Sequence, residues 1–288
     1  MNLLSITWNV SPILFHLGSM EIRWYGVLFA LAFIVSYVLL KKMFTQEKVD
    51  VVYLDKMTIY IFLGVFIGAR LGHCLFYAFG YYSHHIVEMF LPIKIGNGTW
   101  KFVGYQGLAS HGGAIGILLA MILYTRHTNI PYVWSLDRLV VAVCFAGASI
   151  RLGNLMNSEI YGVQTSLPWG FVFVGDGSTV PCHPTQLYEA LSYIILGIVL
   201  YSLSMRKTER KLNQGMIFGI FLVALFGIRF FIEFLKNDQE AWEAAMPINM
   251  GQILSIPFIL VGVVCILLSL KKDIGRTLDR KQLKQLNK

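Results

Sequence analysis

Seven apolar stretches limit what this chain can become. A helix that crosses a bilayer needs about 20 mostly apolar residues. Such runs occupy roughly 22–41, 54–79, 107–125, 138–155, 186–205, 214–235 and 249–270 of the 288 residues. In lipid every backbone polar group must be bonded internally, so an isolated apolar run of this length is read as a helix. Only 14% of the residues are charged and the mean hydropathy is +0.62, whereas a soluble domain is about 25% charged. The expected fold is an all-α polytopic membrane protein with seven transmembrane helices. It reads as one integral membrane domain over residues 1–288, closed by a basic cytoplasmic tail at 271–288. Residues 1–20 lack the basic start and long apolar core of a cleavable signal peptide.

The gaps between runs differ in charge. Lys41, Lys42 and Lys48, Arg126 and Arg138, and Arg206, Lys207, Arg210 and Lys211 mark alternate gaps. The tail adds Lys271, Lys272, Arg276, Arg280, Lys281, Lys284 and Lys288, sixteen basic residues on that side. The intervening gaps, 80–106, 156–185 and 236–248, carry only three: Lys94, Lys101 and Lys236. The positive-inside rule puts the N-terminus outside and the C-terminus in the cytoplasm. Seven crossings reverse the side, so span count and charge count agree independently. The net charge of +8 then follows membrane topology, and no nucleic-acid partner is expected. Cys74, Cys144, Cys182 and Cys265 lie far apart with no CxxC or Cys/His ligand spacing. Cys182 and His183 are adjacent, a poor chelating geometry, and no metal is expected.

Polar residues within or beside the apolar runs are the informative ones. The fourth run ends in Arg151-Leu152-Gly153-Asn154-Leu155-Met156-Asn157-Ser158-Glu159-Ile160-Tyr161-Gly162. An arginine at membrane depth costs at least a few kcal/mol unless it has a partner or reaches water. Arg151 is therefore read as facing an anionic lipid headgroup. Arg229 and Glu233 stand four apart on one helix face and either neutralise each other or serve a site. Arg70 pairs with a neighbouring helix or acts in function. Gly64, Gly68 and Gly72, four apart, let another helix approach closely. His111 opens the third run beside Gly112, Gly113 and Gly116, which leave room for a group to come near it. Trp24 reads as an interfacial anchor. The aromatic gap 80–106 reads as a lid or a short helix on the membrane surface. Pro184 suits the first turn of the fifth run, with Glu189 favourable to the helix dipole.

By topology, Tyr25, Gln106, His111, Arg151, Asn154, Glu159, His183, Gln186, Tyr188, Glu189, Arg229 and Glu233 all lie toward the outer face. Convergence from five runs points to a site. Two arginines fit a phosphate, because the guanidinium stays charged and donates two parallel hydrogen bonds. The GxSxG of a serine hydrolase and the HExxH of a zinc peptidase are absent. A lipid-modifying transferase and a lipid-binding transporter or flippase both remain open on these residues.

The ordered motifs go further. The stretch from Arg151 to Gly162, Ser110-His111-Gly112-Gly113 and His183-Pro184-Thr185-Gln186-Leu187-Tyr188-Glu189 closely resemble the prolipoprotein diacylglyceryl transferase family of bacterial inner membranes. So do Arg23-Trp24-Tyr25-Gly26, Gly68-Ala69-Arg70, Arg229-Phe230-Phe231-Ile232-Glu233-Phe234 and Gly251-Gln252-Ile253-Leu254-Ser255. The resemblance implies transfer of the diacylglyceryl unit of phosphatidylglycerol to the lipobox cysteine of a prolipoprotein signal peptide. The products would be a thioether and glycerol 1-phosphate, in the first step of lipoprotein maturation. It implies a multi-pass protein of the bacterial inner membrane with its active site toward the periplasm. Arg151 matches the family's signature arginine, which contacts phosphatidylglycerol; Tyr25, His111, Asn154, Glu159, Gly162 and Arg229 match positions regarded as important. The catalytic set is then His111, Arg151 and Arg229. Substrate is held by Arg151, Tyr25, Asn154, Glu159, Gly162 and Glu233, and no cofactor is required. Leu225 stands where the family often has tyrosine, and Lys236 where it often has arginine. Lys236 keeps the charge but loses the bidentate fork.

The implied chemistry suits these residues. A thiol is a weak nucleophile until ionised, and the leaving phosphate oxygen gains charge as its carbon–oxygen bond breaks. Arg151 and Arg229 would stabilise that charge. His111 would take the thiol proton or, alternatively, only position the headgroup. The acceptor cysteine belongs to the substrate, so none of this chain's four need be catalytic.

Overall fold

A computed structural model describes residues 5–18, 20–91, 93–96, 99–102, 107, 109–206, 212–237, 248–271 and 278. Gln106, the basic residues 207–211, most of the gap 236–248 and most of the tail lie outside the described residues. The chain contacts itself as two compact units. Among the described residues, one joins those up to 47 to those from 136 onward; the other comprises those from 48 to 135.

Among the described residues, six helices are long and apolar enough to cross a membrane. They are α1 (Trp24–Gln46), α2 (Val51–Gly72, prolonged by a π turn His73–Tyr77), α6 (Tyr132–Met156), α7 (Thr185–Ser204), α8 (Met216–Ile232, prolonged by a 3-10 turn Glu233–Leu235) and α9 (Met250–Lys271). The expected run 107–125 forms α5 (Ser110–Thr128), 19 residues long and polar at both ends through His111, Arg126 and His127. The helices outrun the apolar windows because polar ends continue helical hydrogen bonding. Among the described residues, three short strand pairs lie outside the all-α expectation. β1 (Ile6–Trp8) pairs in parallel with β6 (Phe171–Phe173), and β2 (Ile13–Leu17) pairs antiparallel with β3 (Met20–Arg23). β4 (Ile93–Gly96) pairs antiparallel with β5 (Thr99–Phe102). β2–β3 and β4–β5 join neighbouring strands, whereas β1 reaches a strand far along the chain; in each case the pairing satisfies backbone groups that no helix does.

In the first unit, α8 and α9 meet through glycine. A Cβ built on Gly219 would lie 2.8 Å from the Gly262 carbonyl oxygen, so the backbones touch and each glycine is required. At one end of α8, the buried Asp137 carboxylate accepts from the Gly215 and Phe218 amides at 2.8 Å each. It thereby satisfies donors that a helix N-terminus leaves free. Arg138 beside it pairs with Glu47, and both are buried. At the opposite end of α6, Trp8 donates its indole N–H to the Leu155 carbonyl at 3.0 Å and stacks on Phe171. A small core of Leu155, Phe171, Phe173 and Cys182 results, and it anchors the 157–184 loop.

In the second unit, α2 and α5 pack backbone to backbone. A Cβ on Gly64 would lie 2.7 Å from the Gly116 carbonyl oxygen, and one on Gly68 would strike the Gly112 carbonyl. The close approach expected at Gly64, Gly68 and Gly72 is therefore present. The space expected around Gly112 and Gly116 is taken by α2 itself, since bare backbone attracts the nearest matching backbone. The gap 80–106 forms α3 (Phe79–Tyr82), α4 (Ile86–Phe90) and the β4–β5 hairpin. Arg70 ties this gap to α2: its guanidinium donates to the Glu88 and Met89 carbonyls at 2.6 and 3.1 Å and lies over the Tyr82 ring. Of the two roles open to Arg70, the structure therefore supplies a holding role.

Candidate active site

The last turns of α6 carry Arg151 and Asn154 on one face. Arg151 Nη1 donates to Asn154 Oδ1 at 3.2 Å. Asn154 Nδ2 donates to Glu159 Oε1 at 2.7 Å, and Asn157 Nδ2 reaches the same oxygen at 3.2 Å. The asparagine amide thus faces a cation with its oxygen and a carboxylate with its nitrogen, which fixes its orientation.

On its other side, Arg151 Nε stands 2.6 Å from Glu189 Oε2 on α7. The N–H is not aligned on that oxygen, so charge holds the pair more than hydrogen-bond geometry does. Glu189 Oε1 accepts from Lys236 Nζ at 3.2 Å, and Lys236 Nζ lies 3.3 Å from Glu233 Oε2. Cations and carboxylates alternate along a chain from Glu159 to Glu233. Glu189 is 1% exposed and Lys236 4%, while Arg151 keeps 16%. Buried charges persist only with such partners.

Three glycines make the arrangement possible. The Tyr25 ring of α1 lies on Gly153, where a Cβ would fall 2.5 Å from Tyr25 Cδ2; the phenol is within electrostatic reach of Arg151 and Glu159. The Glu233 carboxylate sits on Gly251, where a Cβ would fall 2.5 Å from its Cδ. Gly162 is buried against the Leu235 carbonyl and 2.7 Å, measured from an added Cβ, from Thr185 Cγ2. Its amide donates to the His183 carbonyl at 2.8 Å. This packing alone demands glycine there. An open cleft of about 770 Å³ borders the network, lined by Glu21, Arg23, Tyr25, Gly26, Asn157 and Glu159 among others.

Arg229 and Glu233 do not pair with each other. The helix tightens to a 3-10 turn at Glu233–Leu235, and the Glu233 carboxylate lies against Lys236 instead. Among the described residues Arg229 forms no ion pair, and its Nε has no hydrogen-bond partner. The Tyr193 hydroxyl lies within electrostatic reach of Arg151, Arg229 and Glu189 together. Outside the spans, His183 Nδ1 lies 3.2 Å from the Tyr188 hydroxyl, and burial lowers its pKa from the ordinary value. Burial raises the Cys182 thiol, which leaves it protonated and inert.

The first unit therefore contains Tyr25, Arg151, Asn154, Glu159, Gly162, Arg229 and Glu233, all singled out from sequence. His111 belongs to the second unit, as the second residue of α5, with an exposed side chain. Sequence reasoning placed Glu189 among the outer polar residues and gave it only a favourable position on the helix dipole, and read Lys236 only as a substitution. Two signals pointed to them: a carboxylate one turn inside an apolar run, and a lone lysine directly after another.

The sequence profile of prolipoprotein diacylglyceryl transferase matches residues 12–268. The chain belongs to that family. It is similar to the phosphatidylglycerol–prolipoprotein diacylglyceryl transferase of Bacteroides fragilis, at 46% identity over 262 residues, covering 91% of this chain and 94% of that one. The enzyme of the same name from Tolumonas auensis is 44% identical over 266 residues, covering 92% and 98%. That from Porphyromonas gingivalis is 42% identical over 288 aligned positions, covering 95% and 98%. Every motif named above for the diacylglyceryl transferase family, from residues 23–26 to 251–255, lies inside the matched stretch.

Proposed function

We propose that this chain transfers the diacylglyceryl group of phosphatidylglycerol to the lipobox cysteine thiol of a prolipoprotein. A carbon–sulfur bond forms as the glycerol carbon–oxygen bond to phosphate breaks. The bonding electrons leave with glycerol 1-phosphate, and the thiol proton passes to a base. Arg151 and Arg229 hold the phosphate and take up the charge developing on the leaving oxygen. Asn154, Glu159 and Tyr25 orient Arg151 and the headgroup. His111 accepts the thiol proton, directly or through water.

One observation carries the reading. Arg151 is fixed between Asn154 and Glu189, while Arg229, in the same unit, has no carboxylate partner among the described residues. The three cations Arg151, Lys236 and Arg229 balance Glu159, Glu189 and Glu233 in number, but among the described residues Arg229 is left without a carboxylate and is the group an anionic headgroup pairs with. Membership of the transferase family supports the same substrate pair.

The protein is one integral domain of the bacterial inner membrane with seven spans, α5 included, its N-terminus outside and C-terminus in the cytoplasm. Support comes from the charge asymmetry, sixteen basic residues in one set of gaps and the tail against three in the other. It also comes from α5, whose glycine face is joined to the spanning α2. The site then opens toward the periplasm.

The test uses purified protein, phosphatidylglycerol in mixed micelles and a lipobox peptide. A mass gain of one diacylglyceryl unit on the peptide cysteine is expected. Lipid movement without a covalent product would overturn the transferase reading in favour of a flippase. His111→Gln is expected to lose most activity near neutral pH and regain it as pH approaches the thiol's own pKa. A loss that stays flat with pH assigns His111 to positioning alone.

A further inference from the structure

Two side chains at the start of α7 grip the turn that presents Glu159. Thr185 Oγ1 donates to the Ile160 carbonyl at 3.1 Å, and Gln186 Nε2 donates to the Glu159 carbonyl at 2.6 Å. Both are fully buried at 0% exposure. The turn they hold is sterically disfavoured. Ser158 has φ +56° and Ile160 φ +59°, the left-handed region that β-branched residues avoid. The Ile160 side chain is 43% exposed, so burial does not offset the strain. Strained backbone persists where the surroundings over-determine it. Here the surroundings are the two buried donors and the bonds beyond the turn, from Gly162 N to the His183 carbonyl and Val163 N to the Leu235 carbonyl, both 2.8 Å.

The consequence reaches Arg151 in two steps. Glu159 sits between the two left-handed residues, and its carboxylate accepts from Asn154 and Asn157. A relaxed turn swings this carboxylate away, frees the Asn154 amide to rotate, and removes the contact from Asn154 Oδ1 to Arg151 Nη1.

We propose that Thr185 and Gln186 are positioning residues that hold the 158–160 turn in its strained form. Through Glu159 and Asn154 they aim the Arg151 guanidinium at the lipid phosphate. The proposal rests on the transfer reading above. Neither side chain touches substrate, so their effect falls on the affinity for phosphatidylglycerol and on transition-state alignment.

The experiment compares full-length wild type with Gln186→Leu, Thr185→Val, Ile160→Gly and the two pairings with Ile160→Gly, in phosphatidylglycerol micelles with a lipobox peptide. Leucine fills the glutamine's volume and removes the donor. Leaving the Glu159 carbonyl unsatisfied lowers kcat/KM for the lipid by about tenfold to a hundredfold, with a rise in KM. Thr185→Val lowers it less, by about three- to tenfold, because that bond is longer. Glycine takes φ +59° without strain, so Ile160→Gly alone stays within about threefold of wild type. On that background the Gln186→Leu loss shrinks at least threefold, a coupling that a general loss of stability does not produce. Loss of neither donor changing kcat/KM beyond threefold overturns the proposal, as does an undiminished Gln186→Leu loss beside Ile160→Gly. If Gln186→Leu fails to insert, Thr185→Val with and without Ile160→Gly decides by the same coupling. If wild type itself makes no adduct, the transfer reading falls. Amide exchange at residues 158–162 then decides the clamp: unchanged protection in Thr185→Val and Gln186→Leu refutes it.

Discussion

Glu189→Gln tests the centre of the buried network. One carboxylate oxygen stands 2.6 Å from Arg151 Nε and the other 3.2 Å from Lys236 Nζ, in a side chain 1% exposed. Glutamine keeps the shape and one acceptor, loses the charge, and turns an amide N–H₂ toward one of the two cations. Breaking a buried pair by removing one partner costs about 3–5 kcal/mol, because the charge left behind is uncompensated. Two features moderate this. Lys236 keeps Glu233 at 3.3 Å, and Arg151, 16% exposed, has partial access to water. The low end applies, about 3 kcal/mol. Felt in the transition state, that loss lowers kcat/KM roughly a hundredfold, since each 1.4 kcal/mol is about tenfold. The assay is thioether formation by mass spectrometry on purified, inserted protein, with thermal unfolding in parallel. Glu189→Asp keeps the charge but not the reach, and falls between wild type and the glutamine variant. An inserted Glu189→Gln protein that transfers lipid within threefold of the wild-type rate refutes the reasoning.

Other consequences can be checked alongside. Gly162→Ala drives a Cβ into the Leu235 carbonyl and to 2.7 Å from Thr185 Cγ2; backbone must shift, and kcat/KM falls at least tenfold with loss of protection of the Gly162 amide in hydrogen exchange. Gly68→Val forces α2 from α5, because even the first added carbon lies 2.8 Å from Gly116 Cα; thermal stability falls by about 2 kcal/mol or more. The Tyr81 hydroxyl and the Ile95 amide lower the Glu88 pKa below the ordinary carboxylate value. A lowered carboxylate pKa stabilises the fold above the unfolded value and ceases to do so as pH falls through the folded one. Trp100 fluorescence should therefore change on acidification in wild type and be already altered near neutral pH in Glu88→Gln.

Most of the residues that the structure joins in this polar network were legible in the chain. Arg151, Asn154 and Glu159 are close in sequence, and a helix end followed by a short turn brings such neighbours together whatever else happens. Arg229 and Glu233 show the limit of local reasoning. Helical spacing put them on one face, but the helix tightens at Glu233 and the carboxylate goes to Lys236 instead. Gly112 and Gly116 likewise read as open space beside His111, and the space is occupied by α2. Thr185 was legible only as a member of the 183–189 motif and without a role, because its hydroxyl acts on a carbonyl from another segment.

The sequence by itself determined that the chain is built of apolar helices, and where each lies, though α1 runs on to Gln46 and α6 starts as early as Tyr132. Transfer of a segment from water to lipid depends on that segment's own composition and length, so no partner has to be known. Only the tertiary structure decided which carboxylate faces Arg151, why Gly162 admits no side chain, and how residues 158–160 are kept in a left-handed turn. Ion pairs and close backbone contacts act over a few ångströms between segments distant in the chain, and they exist only once the helices have chosen their neighbours.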